Sequence, residues 1–129
     1  MNLTEQINRL TECEPTDSPF ISLNLDTKDV KHNNYFQFLQ DKYDFIYMEF
    51  LMCGGSEEFF NKCWKKILHY LKNNLKETSE GLVMILRIDN TDCIFFIHEF
   101  PFPIENSVVV DGVPNIYPLI QLINERIIS

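Results

Sequence analysis

An α+β fold is expected, a four-stranded mixed sheet packed between helices on both faces. Three observations lead there. Leu82–Leu86 and Cys93–Ile97 are apolar on both faces and are joined through the turn-favouring Asp89-Asn90-Thr91, the pattern of central strands covered from two sides. Two longer segments, 35–52 and 56–76, carry apolar residues at helical spacing. The resulting order is helix, strand, helix, helix, strand, strand, strand, helix, which supplies enough helices to cover both faces of one sheet.

Each element has a local cause. Asn2 with Glu5 three residues on resembles a capping box, and Leu3, Ile7 and Leu10 follow at helical spacing, so a short helix is expected over residues 3–12. Pro15 and Pro19 make residues 14–19 a loop, because a proline restricts the residue before it to extended backbone. Phe20, Ile21, Leu23 and Leu25 form the first strand, which ends at Asp26-Thr27, and a polar connection runs from Lys28 to Asn34. The next helix is dense in aromatic residues: Tyr35, Phe36, Phe38, Tyr43, Phe45, Tyr47 and Phe50. Leu39, Tyr43, Ile46, Phe50 and Cys53 make one stripe of it, while Phe36, Tyr47, Met48 and Leu51 lie off that stripe. Such surplus apolar surface fits a helix sandwiched between sheet and neighbour, or a face that meets a protein partner.

Gly54-Gly55 breaks this helix. Ser56 is a favourable N-cap for the next, with Glu57 and Glu58 at the positive end of its dipole. Phe59, Phe60, Cys63, Trp64, Ile67, Leu68, Leu71 and Leu75 are its buried stripe, and Lys62, Lys65, Lys66, Lys72 and Lys76 lie largely opposite. After the two apolar strands, Phe100-Pro101-Phe102-Pro103-Ile104 reads as a stiff extended connection, Ser107–Val110 as a short strand, and Asp111-Gly112 as its turn. A final helix from near Asn115 carries Ile116, Leu119, Ile120, Ile123 and Ile127 on one side. Pro118 fits in its first turn, where a missing backbone donor is harmless.

Composition narrows the classes. At 129 residues the chain is expected to be one domain, residues 1–129, able to fold without disulfides or metal. No apolar run approaches the roughly 20 residues of a membrane span, and the N-terminus lacks a basic segment leading into an apolar core, so neither membrane insertion nor secretion is expected. Cys13, Cys53, Cys63 and Cys93 show no Cys-x-x-Cys spacing; they read as buried free thiols in a reducing cytoplasm, with a disulfide pair as the alternative. The net charge of -8 opposes general nucleic-acid binding, yet five of the eleven basic residues fall between Lys62 and Lys76.

Catalytic patterns are not found. His32, His69 and His98 lack a second ligand at zinc-like spacing. His98 and Glu99, adjacent on a strand, point to opposite faces, so His98 reads as a surface histidine. Ser22, Ser56, Ser79 and Ser107 stand outside any Gly-x-Ser-x-Gly context. Neither a Gly-x-Gly-x-x-Gly nor a P-loop occurs. Asp26, Asp89, Asp92 and Asp111 sit at strand ends and turns, where aspartate satisfies local backbone donors. No enzymatic activity, cofactor or metal is expected.

The run from Phe100 through Asn106, Val108-Val109-Val110, Asp111-Gly112 and Pro118-Leu119, together with Ser18–Thr27 ending in Leu25-Asp26-Thr27, resembles the first domain of the bacterial archaeo-eukaryotic release factor family. These are relatives of class I peptide-chain release factor and pelota. The resemblance implies a small sheet packed between helices and a cytoplasmic role in translation, with the ribosome or tRNA as partner. It matches no residue motif between Lys28 and Glu80. The Gly-Gly-Gln loop of release factors is not present, since Gly54-Gly55-Ser56 lacks the glutamine, and the loop 52–57 holds no Asn-Ile-Lys-Ser stop-codon motif. The family's second and third domains have no counterpart in the sequence.

Two functional expectations follow. One is a non-catalytic, translation-associated domain whose RNA contacts are Lys62, Lys65, Lys66, Lys72 and Lys76; as a bland alternative these lysines form a solvated helix face. The other is a protein-interaction or homodimerisation module that uses Phe36, Tyr47, Met48 and Leu51 of the aromatic helix.

Overall fold

The computed structural model describes residues 2–28 and 34–126. They form α1 (Leu3–Thr11), β1 (Phe20–Asp26), α2 (Asn34–Met52), α3 (Glu57–Asn73), β2 (Gly81–Ile88), β3 (Cys93–Phe100), β4 (Ser107–Asp111) and α4 (Tyr117–Arg126), in the order read from the sequence. His32, Ile127 and most of the connection between Lys28 and Asn34 lie outside the described residues.

The four strands run β3-β2-β1-β4, and every pairing is antiparallel. The expectation of a mixed sheet is therefore corrected. Apolar residues on both sides of a strand report that both sides are covered; they carry no information on strand direction. A second correction concerns β3, which among the described residues pairs only with β2 and is an edge strand, not a central one. The central pair is β1 and β2, and β2 is buried along its whole length.

Helices cover both faces. On one, Ile21, Leu23 and Leu25 of β1 and Leu82, Met84 and Leu86 of β2 pack with α2 and α3 through Leu39, Ile46, Phe50, Phe60, Cys63, Ile67 and Leu71. On the other, Phe20, Val83, Ile85, Phe96 and Phe100 pack with Ile7 and Leu10 of α1 and Leu119 of α4. The alternation of strand side chains sorts each residue to its layer. Ile116 and Ile123 join the second layer as expected, but Ile120 is exposed and Leu122 packs in its stead.

The helix ends follow their sequence signals. Asn2 Oδ1 accepts from the Glu5 N–H at 2.8 Å, the N-cap bond expected from the sequence, and Asn2 Nδ2 donates to Glu5 Oε1 at 3.3 Å, so the return contact of the box runs between side chains and not to the Asn2 main chain. Ser56 Oγ accepts from the Phe59 N–H at 3.1 Å to start α3. Past the end of α2, Gly54 takes a φ of 98°, backbone that an L side chain adopts only with strain. Its N–H and that of Gly55 return to the carbonyls of Leu51 and Phe50.

A buried cation on β2 reaches toward the loop before β1 and the β2–β3 turn. Arg87 is 1% exposed. Its Nη1 donates to the Glu14 carbonyl at 2.8 Å, its Nη2 to Asp92 at 3.2 Å, and its Nε stands 3.6 Å from Asp89 Oδ2. The guanidinium also lies 4.8 Å from the centre of the Phe20 ring, within range of a cation–π attraction. Asp89 shapes the β2–β3 turn: its Oδ1 accepts from the N–H groups of Thr91 and Asp92 and from the Thr91 hydroxyl. Burial by itself would raise this carboxyl. Hydrogen bonds from Asp92, Thr91 and Thr16 outweigh burial and hold it well below the usual carboxylate range.

Candidate functional site

α3 positions the basic residues. Successive helical residues turn by about 100°, so Phe60, Cys63, Ile67 and Leu71 fall on the arc turned to the sheet, and all four are buried. Lys62, Lys65, Lys66 and Lys72 occupy the opposite arc, and all are exposed. Lys76, just beyond the helix, is exposed too. The five lysines singled out in the sequence are thus brought to one side of the molecule.

Among the described residues, Lys62 alone of the five forms an ion pair, with Glu58 at 3.3 Å. That pair is solvent-facing and worth little. Lys66 Nζ lies 5.3 Å from the centre of the Phe95 ring on β3, and Lys62 Nζ 5.8 Å from that of Phe59. Two shallow depressions run along this side. One, of about 520 Å³, is lined by Lys65, Lys66, His69, Tyr70, Asn74 and Phe95. The other, also about 520 Å³, is lined by Glu58, Asn61, Lys62, Trp64 and Lys65. Half-buried aromatic rings therefore alternate with lysines, an arrangement suited to phosphates and stacked bases together. The part played by Phe95 was not legible beforehand, because it comes from a different element, whereas Trp64 and Tyr70 lie on α3 itself.

The far end of the lysine row meets a carboxylate. Tyr70 Oη donates to Glu99 Oε2, and the Lys76 N–H donates to Glu99 Oε1 at 3.1 Å. Burial and the Glu99 carboxylate together push the Tyr70 hydroxyl well above its ordinary range. His98, next in sequence, points to the other face, where its ring meets Phe100 at 4.5 Å. It is half-buried and not a surface residue, and burial lowers its pKa, a shift that Glu99 partly opposes. The two residues form no acid–base pair.

The aromatic helix is placed differently from the expectation. Phe36 and Tyr47 are half-buried and pack against the core. Tyr47 stacks on Tyr43 and meets Phe60 edge-on at 5.0 Å. Leu51 is half-buried and Met48 is 54% exposed. The exposed apolar row on α2 is Phe45, Met48 and Met52, spaced by three and four residues.

The remaining sequence candidates have structural partners. Ser22 Oγ accepts from the Asn115 N–H, Ser79 and Thr27 hydroxyls lie 3.0 Å apart, and Asn106 Oδ1 accepts from the Asp26 N–H. All four cysteines are free; Cys63 is buried, but Cys53 and Cys93 are exposed, contrary to expectation. Burial pushes the Cys63 thiol up to about 12, so it stays protonated and unreactive near neutral pH. Among the described residues, no group of three or more His, Cys, Asp or Glu side chains is placed to hold a metal ion. No described helix is long and apolar enough to cross a membrane. No protein-family model matches the chain, and the search of curated proteins returns no match.

Proposed function

We propose that the chain is a non-catalytic, translation-associated cytoplasmic domain that contacts ribosomal or transfer RNA through the lysine side of α3. The observation that carries this reading is the segregation of charge. In a chain of net charge -8, five exposed lysines share one side, and among the described residues the ammonium groups of four of them form no ion pair. Depressions lined by Trp64, Tyr70 and Phe95 lie between the lysines. The release-factor resemblance of the flanking segments supplies the ribosomal context.

Co-sedimentation of the purified chain with ribosomes across a salt series tests the reading. Neutralising about four to five phosphates gives a slope of about -3 to -4 for log affinity against log salt. Changing Lys62, Lys65, Lys66, Lys72 and Lys76 to glutamate is expected to abolish the association while the thermal transition persists. No association even at low salt would remove the proposal. The exposed row of Phe45, Met48 and Met52 would then favour a protein-interaction or homodimerisation module, read from a solution mass that rises with concentration and falls in Met48→Asp.

A further inference from the structure

Among the described residues, the outer strand β3 carries few of the usual protections of a sheet edge: its one charged side chain, Glu99, is taken up by Tyr70 and the Lys76 N–H at one end. It is eight residues long, contains no lysine or proline, and pairs with β2 in an uninterrupted register from Cys93 to Phe100. Edges of this kind ordinarily carry a charge, a bulge or a covering segment. Two hydrogen bonds fix which main-chain groups face outward. The Asp89 N–H donates to the Asp92 carbonyl at 3.1 Å across the hairpin, and the Ile88 carbonyl turns away from β3 to accept from Ser18 Oγ at 2.7 Å. With the antiparallel alternation, the even-numbered residues of β3 bond to β2. Cys93, Phe95, Ile97 and Glu99 then present their N–H and C=O groups to the open side. No hydrogen bond from another described residue reaches these groups.

The two sides of this edge differ in chemistry. Toward α1 lies a depression of about 440 Å³ whose walls include Leu10, Cys13, Ile94 and Phe96, with Arg9 among its lining residues. Toward α3 lies the depression that holds Lys65, Lys66 and His69. Arg9, Lys65 and Lys66 are exposed and make no ion pair among the described residues. Both flanks therefore hold unpaired basic side chains, with the Glu99 carboxylate confined to the Tyr70 and Lys76 end of the α3 side, and the α1 side has an apolar floor.

We propose that the open edge of β3 is a docking site for an extended acidic segment of a partner protein. The segment adds as a fifth strand, with apolar side chains entering the α1-side depression and alternate Asp or Glu side chains meeting Lys65 and Lys66. Strand addition of this kind takes affinity from main-chain hydrogen bonds and selectivity from pockets for alternate side chains. Eight residues give about 26 Å of edge, enough for about six to eight residues of partner. This site is independent of the RNA reading, although Lys65 and Lys66 border both.

The test uses a fluorescein-labelled octapeptide that alternates valine and glutamate, titrated with the full chain and followed by anisotropy. It is expected to bind at least tenfold more tightly than the valine–lysine counterpart. N-methylation of alternate residues is expected to weaken binding at least tenfold in one of the two possible patterns and to leave the other nearly unchanged, because only one set of amides faces β3. Ile97→Pro removes an outward N–H without breaking a bond to β2 and is expected to abolish binding. If that variant is unfolded, the methylation pair still decides. Arg9→Glu is expected to weaken the acidic peptide at least threefold and to leave ribosome co-sedimentation unchanged, which separates this site from the α3 lysines. Failure of the acidic peptide to bind would overturn the proposal, as would binding indifferent to both methylation patterns. An oligouridylate that binds the wild type and is weakened by Arg9→Glu, while the acidic peptide fails, would assign the edge region to RNA.

Discussion

Arg87→Ala is expected to destabilise the protein by about 3–5 kcal/mol in urea denaturation, the usual result of removing one partner from a buried ion pair. The guanidinium is 1% exposed and ties β2 to two segments: the loop before β1 through the Glu14 carbonyl, and the β2–β3 turn through Asp89 and Asp92. Its removal leaves the Asp89 side chain, itself 10% exposed, without a cation and forfeits contact with the Phe20 ring. The double change Arg87→Met with Asp89→Asn removes both charges and keeps an oxygen for the three turn donors. It should lie closer to wild type than Arg87→Met alone. A single Arg87→Ala loss below about 1 kcal/mol would contradict this account.

The same cluster fixes a pH dependence. Because the folded Asp89 carboxyl titrates below its ordinary value of 3.8, its contribution is complete above that value and is lost as pH falls through the folded pKa. The urea midpoint of the wild type should therefore drop more steeply below about pH 4 than that of Asp89→Asn.

Phe60→Ala is expected to cost about 3–5 kcal/mol, the range for emptying a buried aromatic site. Phe60 is fully buried on α3. Its ring meets Tyr43, Tyr47 and Phe50 edge-on at 5.6, 5.0 and 5.5 Å and stacks on Trp64 at 5.8 Å. Ring pairs of this geometry contribute about 0.5–1.5 kcal/mol each beyond their buried area. Phe60→Leu, which keeps apolar bulk and loses the ring pairs, should fall in between. The single tryptophan is one of the four partners, so its emission should shift with the loss of stability. Since this hub fastens α3 to α2, the variant should also weaken whatever the lysine side binds.

The element order was legible because each boundary has a local cause: Asn2 and Ser56 cap, Gly54 ends a helix, and Asp89 turns a hairpin. Lateral arrangement was not. β2 and β3 look alike in sequence, both apolar on alternate and intervening positions, yet one is central and the other an edge. Helices over both faces impose the same composition on either. Arg87 is hidden in the sequence because the apolar run ends just before it, at Leu86. The signal was an arginine continuing that run with aspartates two and five residues later. The lysine side was legible from its opposition to Phe60, Cys63, Ile67 and Leu71. The exposed row of α2 was read less well. Spacing gives the angle of each residue around a helix but not which neighbour covers it, and Phe60 shelters Tyr47 while leaving Phe45 and Met52 bare.

The strand order β3-β2-β1-β4 also governs when the sheet comes together during synthesis. β1 lies inside the sheet, but its pairing with β2 begins at Asp26 and Gly81, on the order of 55 residues apart, and β4 follows later still. At about 5–20 residues per second, β1 waits roughly 3–11 s before its first partner exists. The β2–β3 hairpin, once made, closes in about 1–10 μs. A preformed hairpin thus receives an early strand, and the long closure makes this slow step non-local. Until then Phe20, Ile21, Leu23 and Leu25 are an unpaired apolar segment on a nascent chain, the kind of surface that chaperones shield.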